Sequence, residues 1–362
     1  MDFDIQNLIR PHLKNLTPYA SARSEFTGSA RVWLDANENA YGTPGSDTAQ
    51  SYHRYPDPYQ KKLKVRIGEL KGLSTDQIFL GNGSDEAIDL LIRIFCQPGI
   101  DNVVTLPPTF GMYEVAASVN DVAVHSAPLL PDYQLDRDAV ASAIDSHTKI
   151  IFFCSPNNPT GNLLNPDEIR FFLDSFQGIV VVDEAYIDFS DQPSFIAELK
   201  SHPNLVVLHT FSKAWGMASL RLGAAFASTE IINLLNRVKL PYNISTLNQE
   251  VALNILLNKD QYQVSINQII QQREWLANSL NSLEVVHKVH HSDANFLLVK
   301  FEDAPDLYQF LVKLGVIVRN RSTVRLCEGG LRITVGTESE NQALVKAIHQ
   351  FENQHLKKSR IA

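Results

Sequence analysis

Leu205-Val-Val-Leu-His-Thr210-Phe-Ser212-Lys213-Ala-Trp-Gly-Met-Ala-Ser-Leu-Arg221-Leu-Gly223 is the segment from which the fold of this 362-residue chain is read. Its first four residues form a continuous apolar run, the pattern of a parallel strand buried on both faces. Lys213 therefore falls where a buried strand ends and a loop opens. In open α/β sheets, ligands bind outside the carboxyl ends of the strands. An amine held there is desolvated, loses its proton more readily and can form a Schiff base with an aldehyde. Ser212 and Arg221 add a hydroxyl and a planar guanidinium, both suited to a phosphate. Taken alone, the lysine fits a solvated surface charge as well.

Two upstream segments repeat the form. Ile150-Ile-Phe-Phe153 leads into Cys154-Ser-Pro-Asn-Asn158-Pro-Thr-Gly161, and Ile179-Val-Val-Val182 leads into Asp183-Glu-Ala-Tyr186. Each run delivers a polar residue, Asn158, Asp183 or Lys213, to the same edge of one sheet. Singly, Asp183 fits a helix cap or loop carboxylate, and Asn158 a turn residue ahead of Pro159. Together with Lys213 they fit pyridoxal phosphate. Its ring nitrogen must stay protonated to act as an electron sink, which calls for a buried carboxylate such as Asp183. Asn158 and Tyr186 are placed to donate hydrogen bonds to the ring oxygen.

The chain resembles the fold-type I pyridoxal-phosphate aminotransferases, and within them the histidinol-phosphate aminotransferases, over nearly its whole length. The shared segments include Leu16-Thr-Pro-Tyr19-Ala-Ser-Ala-Arg23, Leu34-Asp-Ala-Asn37-Glu-Asn39, Arg54-Tyr55-Pro56, Gly83-Ser84-Asp85-Glu86, Pro107-Pro-Thr-Phe110-Gly-Met-Tyr113 and Leu331-Arg332-Ile-Thr-Val-Gly336. The lysine, aspartate and Asn-Pro-x-Gly elements are common to the superfamily, whereas the first two segments point to the histidinol-phosphate branch. The resemblance implies an α/β fold: a large three-layer αβα domain with a mostly parallel sheet, and a smaller α+β domain. It also implies pyridoxal 5′-phosphate as cofactor.

The resemblance assigns further roles. Ser84 and Asp85 would give backbone N–H groups to the cofactor phosphate, at a glycine turn opening a helix, with Ser212 and Arg221 closing the cup. Tyr55 would reach the same phosphate from the second subunit of a homodimer. Phe110 stands where the family commonly carries tyrosine and keeps the face that stacks on the ring. Arg332 would take the α-carboxylate of glutamate. Arg319 with Tyr19 would meet the substrate phosphate or distal carboxylate, and Asn37 would lie near the substrate, although an Asx-turn explains it equally. Arg321 and Arg325, flanking Arg319, read better as surface charges on a loop. The implied reaction is transamination between histidinol phosphate and 2-oxoglutarate, giving imidazole-acetol phosphate and glutamate, in histidine biosynthesis. An aromatic amino-acid aminotransferase and a pyridoxal-phosphate-dependent threonine-phosphate decarboxylase are the alternatives.

Composition agrees with a soluble enzyme. Hydrophobic residues make up 44%, charged residues 20%, and the formal charge of −8 with no basic stretch argues against a nucleic-acid surface. Met1-Asp-Phe-Asp4 opens acidic with no apolar stretch after it, so no signal peptide is expected, and no run is long enough for a membrane span. Three scattered cysteines, Cys96, Cys154 and Cys327, suit reduced thiols and a cytoplasmic protein. His287-Lys-Val-His290-His291 lacks the accompanying ligands of a metal site and reads as packed or solvated imidazoles. The length calls for more than one domain. An N-terminal helix and arm are expected over 1–30, a large α/β cofactor-binding domain over 31–245 and a small α+β domain over 246–362. Helices are predicted from Ser84, from Asn165-Pro166 and over Glu338–Ile348.

Overall fold

The buried runs become the centre of one sheet. The computed structural model describes residues 3–19, 30–45 and 52–359. Strands β1 (Ile78–Asn82), β2 (Asn102–Thr105), β3 (Ala123–Ser126), β4 (Thr148–Cys154), β5 (Ile179–Asp183), β6 (Leu205–Thr210) and β7 (Leu222–Ala227) form a seven-stranded sheet in the order β1-β7-β6-β5-β4-β2-β3. Only β7 runs against its neighbours; the other pairings are parallel. In register, Cys154 lies beside Asp183 and Asp183 beside Leu208, so β4, β5 and β6 end together on one edge.

The alternation of side chains explains why these strands read as unbroken apolar runs. Ile150, Phe152, Val181 and Val206 pack on one face with Ile88, Leu91 and Phe95 of the helix Ser84–Phe95. Ile151, Phe153, Val180 and Val207 pack on the other with Leu63 of the helix Lys61–Lys71 and with Ile169 and Phe172 of the helix Pro166–Ser175. With both faces covered by helices, neither side has a polar position to show. The helices of this layered unit are α1 (Lys61–Lys71), α2 (Ser84–Phe95), α3 (Met112–Val119), α4 (Arg137–Ala143), α5 (Pro166–Ser175) and α6 (Thr229–Val238). α5 begins as its sequence predicts, with Asn165 Oδ1 accepting from Asp167 N at 3.0 Å and Pro166 at its first turn.

Beyond these come α7 (Thr246–Leu256), α8 (Lys259–Asn281), β8 (Val286–Val289), β9 (Phe296–Phe301), α9 (Ala304–Lys313), β10 (Arg319–Asn320), β11 (Gly330–Thr334) and α10 (Glu338–Ser359). The four strands form an antiparallel sheet, β10-β11-β9-β8, over a separate core that includes Leu276, Val299, Leu307 and Ile348. Helix α7 packs against α1, and its Ala252 and Leu256 are buried in the core of the large sheet.

The described part of the N-terminal segment is two 3-10 turns, Ile5–Asn7 and Pro11–Leu13, where one helix was expected. Pro11 lacks an N–H and pushes Arg10 into extended geometry, which breaks any continuous helix there. Ile5 and Ile9 anchor these turns on the large core. Residues 20–29, including Arg23 of the Leu-Thr-Pro-Tyr segment, lie outside the described residues. Among the described residues, no helix is long and apolar enough to cross a membrane.

Candidate functional site

The strand ends, the N-terminus of α2 and the small sheet enclose a cavity of about 770 Å³. It is lined by every residue to which the sequence reading gave a catalytic, cofactor or substrate role except Tyr19, Asn37 and Tyr55.

Asp183 closes β5 and is buried. Its Oδ1 accepts from Ala185 N at 3.1 Å and its Oδ2 from the hydroxyl of Tyr113 at 2.7 Å. Burial pushes its pKa up to about 6, against the lowering effect of these two donors. Tyr113 sits on α3, stacked on Phe152 at 4.6 Å and edge-on to Phe110 at 5.6 Å. Sequence reasoning passed over it. It appeared there only as the last residue of the Phe110-Gly-Met-Tyr113 motif, and an aromatic in the first turn of a helix reads as core.

Lys213 follows β6 in a turn closed by Gly216 N donating to Lys213 O at 3.0 Å. Its Nζ lies 5.9 Å from the centre of the Tyr186 ring. Although the side chain opens onto the cavity, desolvation by the surrounding protein, then the charges of Arg332 and Arg221, lower its pKa. A larger share of neutral amine is the consequence. Arg332 Nη1 donates to Asn158 Oδ1 at 2.5 Å, which turns the amide so that Nδ2 faces the Tyr186 hydroxyl at 3.3 Å. Burial raises the Tyr186 pKa, so its hydroxyl remains a donor.

Across the cavity, Gly83 caps α2 with φ +74°, and no side chain caps the helix N-terminus. Its first-turn N–H groups, at Ser84 and Asp85, meet the Arg221 side of the cavity. Arg221 Nη2 lies 3.2 Å from Asp85 Oδ2, and Nη1 is 3.5 Å from Ser212 Oγ. Strand β7 presses directly on this loop. Gly83 N donates to Arg221 O at 2.7 Å, and a Cβ on Gly223 would stand 2.1 Å from Ser84 N. Only glycine fits that approach.

The small sheet supplies a third wall. Arg319 and Arg332 are direct cross-strand partners on β10 and β11, and Arg321 lines the cavity beside them. That placement corrects the reading of Arg321 as a surface charge. Its backbone N–H donates to Gly330 O at 2.9 Å, a tether that holds the chain against β11 and keeps Arg321 at the mouth. Arg325 is exposed and off the lining.

Asn37 and Tyr55 line a second cavity of about 380 Å³. Glu38 joins their two segments, accepting from Tyr55 N at 2.7 Å and from Arg54 Nη1 at 2.5 Å. Tyr55 stacks on Tyr242 at 4.5 Å and stays half exposed, and Tyr19 is largely exposed. His290 packs on Tyr133 while His291 turns to Asp293, so these imidazoles diverge.

Residues 24–348 match the aminotransferase class I and II family. The chain belongs to that family. Among aminotransferase relatives, it is 51% identical over 351 residues to the histidinol-phosphate aminotransferase of Cytophaga hutchinsonii, covering 97% of this chain and all of that one. The histidinol-phosphate aminotransferase structure from Clostridium acetobutylicum superposes with a TM-score of 0.77 at 26% identity, covering 84% of this chain and 92% of that one. The L-threonine-O-3-phosphate decarboxylase structure from Porphyromonas gingivalis superposes with a TM-score of 0.71, also at 26% identity, over 83% and 91%. As in any aminotransferase of this class, the reaction needs a carbonyl cofactor, and the donor set fits one: an amine of lowered pKa, a buried carboxylate and an uncapped helix N-terminus facing a guanidinium.

Proposed function

We propose that this aminotransferase transfers the amino group of histidinol phosphate to 2-oxoglutarate, with pyridoxal 5′-phosphate as cofactor, in histidine biosynthesis. The observation that carries the reading is the convergence of Lys213 and the buried Asp183 on one cavity, in a chain half-identical over its length to a histidinol-phosphate aminotransferase.

When bound, the cofactor supplies the carbonyl that takes the amino group and the ring that accepts the electron pair from the substrate α-carbon. The protein does the rest. Asp183 would hold the proton on the ring nitrogen. Asn158 Nδ2 and the Tyr186 hydroxyl would donate to the ring oxygen. Phe110 would pack on the ring. Ser84 N and Asp85 N, with Ser212 and Arg221, would bind the phosphate. Lys213, whose pKa desolvation and then the charges of Arg332 and Arg221 lower, would remove the proton from the substrate α-carbon. Arg332 takes a substrate carboxylate and Arg319 the distal anion, with Tyr19 and Asn37 near the substrate. Donor and acceptor use the site in turn, so ping-pong kinetics are expected.

The dimeric and cytoplasmic parts of the reading belong here as well. Tyr55 lies outside its own chain's main cavity and is half exposed, which suits a residue that reaches the phosphate in a partner copy. The three cysteines are buried and free, in keeping with a reducing compartment. The division at about residue 245 belongs to the same reading, with α7, just beyond it, packed on the core of the large sheet.

Borohydride reduction of the cofactor-loaded protein, followed by peptide mapping, tests the assignment of the lysine. Attachment at Lys213 is expected. Attachment at Lys64 or Lys239, whose pKa values burial lowers to about 8, would contradict it. The second reading, decarboxylation of a phosphorylated amino acid, is favoured by the likeness to the threonine-phosphate decarboxylase fold, and carbon dioxide release distinguishes it.

A further inference from the structure

Three arginines meet on one wall of the cavity. Arg319 and Arg332 stand directly opposite each other across β10 and β11, and Arg321 follows two residues after Arg319. Like charges directly opposite in a sheet destabilise it. Among the described residues, no carboxylate forms an ion pair with any of the three, and the buried Nε of Arg321 has no hydrogen-bond partner. Desolvation, then the charges of Arg332 and Arg319, lower the pKa of Arg321, so its charge is held there at a cost.

The segment that carries Arg321 is held firmly. Asn320 Oδ1 accepts from Ser322 N at 2.8 Å and Ser322 Oγ at 2.6 Å, and Val324 N donates to Arg321 O at 2.9 Å. The Tyr133 hydroxyl ties the same turn to the large domain through Leu326 O at 2.9 Å. A fixed backbone thus keeps an uncompensated guanidinium at the cavity, although a free surface loop would let it escape to water. Three guanidiniums on one wall suit an anion with more than one charge.

We propose that Arg321 is a third anion-binding residue of the site, acting with Arg319 on a phosphate monoester dianion and so favouring a phosphorylated amine over a dicarboxylic amino acid. A carboxylate needs one guanidinium fork, whereas a phosphate dianion offers oxygens and charge for two. The inference rests on the aminotransferase reading for its substrates, but the anion-binding part is measurable without turnover.

The test compares the cofactor-loaded wild type with Arg321→Gln and Arg321→Lys. Half-reactions with histidinol phosphate and with glutamate give kcat/KM for each donor, and calorimetry gives the affinity for inorganic phosphate. In Arg321→Gln, the loss for histidinol phosphate should exceed the loss for glutamate by about tenfold or more, the effect of one charge-assisted contact. Phosphate binding should weaken similarly, and Arg321→Lys should recover part of both. The ligand-free thermal midpoint should hold or rise, because like-charge crowding is relieved. Equal losses for both donors, unchanged phosphate binding or a lowered midpoint would overturn the proposal, the last marking a structural arginine. A wild type that binds phosphate through Arg321 yet converts neither donor would overturn the aminotransferase reading and leave this inference standing.

Discussion

The hydroxyl of Tyr113 donates a 2.7 Å hydrogen bond to Oδ2 of Asp183, joining two buried side chains 70 residues apart in the chain. Burial drives the Asp183 carboxyl toward its neutral form, and this bond is the leading force against that drive. Tyr113→Phe keeps the ring stacked on Phe152 and removes only the donor. The Asp183 pKa should then rise further, moving the acid limit of cofactor binding upward by about one pH unit. Cofactor dissociation constants measured against pH check this. A less stable variant with an unmoved acid limit would make Tyr113 a packing residue only.

In the wild type the same group should set the pH dependence of cofactor affinity. The carboxylate is the form that pairs with a protonated ring nitrogen. Its pKa in the free protein is raised to about 6, so below that pH the carboxyl carries a proton that binding must expel. Affinity should therefore fall as pH drops through 6, by up to about tenfold per unit, and this group imposes no loss above it. Fluorescence titration of the cofactor-free protein reads the profile, and a flat response through 6 would remove Asp183 from the ring nitrogen.

Gly223→Ala should weaken cofactor binding as well as the fold. The added Cβ would meet Ser84 N at 2.1 Å and Gly83 C at 2.3 Å, so β7 and the loop opening α2 must separate. That loop carries the N–H groups assigned to the phosphate. A roughly tenfold or greater loss of cofactor affinity is expected, against about 1–3 kcal/mol of stability for an overpacked site. Wild-type affinity in this variant would show that the phosphate does not sit there.

Much of this arrangement is legible in the sequence because burial on both faces leaves strands without alternation. The runs before Asn158, Asp183 and Lys213 could be read as strand ends for that reason, and α2 and α5 announced themselves by periodicity and capping. Arg321 was misread because β10 is two residues long, too short for alternation to show which way its neighbours face. Tyr113 was missed because its partner comes from a distant strand, β5, and nothing local separates a hydroxyl aimed at a carboxylate from one aimed at solvent. The break in the N-terminal segment was foreseeable from Pro11, whose missing donor was given too little weight.

Glu184 stabilises the segment that carries Tyr186. It is buried, accepting from His209 Nε2 and Phe195 N, each at 2.8 Å, and from Ser194 Oγ. Glu184→Ala leaves two buried groups, His209 Nε2 and Phe195 N, and the half-buried Ser194 hydroxyl without their acceptor. It should cost about 2–4 kcal/mol in urea unfolding. A cost below about 1 kcal/mol would mean that water replaces the carboxylate without strain.

The most direct measurement is one half-reaction. The protein is loaded with pyridoxal phosphate, histidinol phosphate is added with no 2-oxo acid, and the visible absorbance of the bound cofactor is followed. The account predicts rapid conversion to the amine form of the cofactor, much faster than with phenylalanine or tyrosine. Equal or faster conversion by the aromatic amino acids, or no conversion but carbon dioxide release from threonine phosphate, would contradict it.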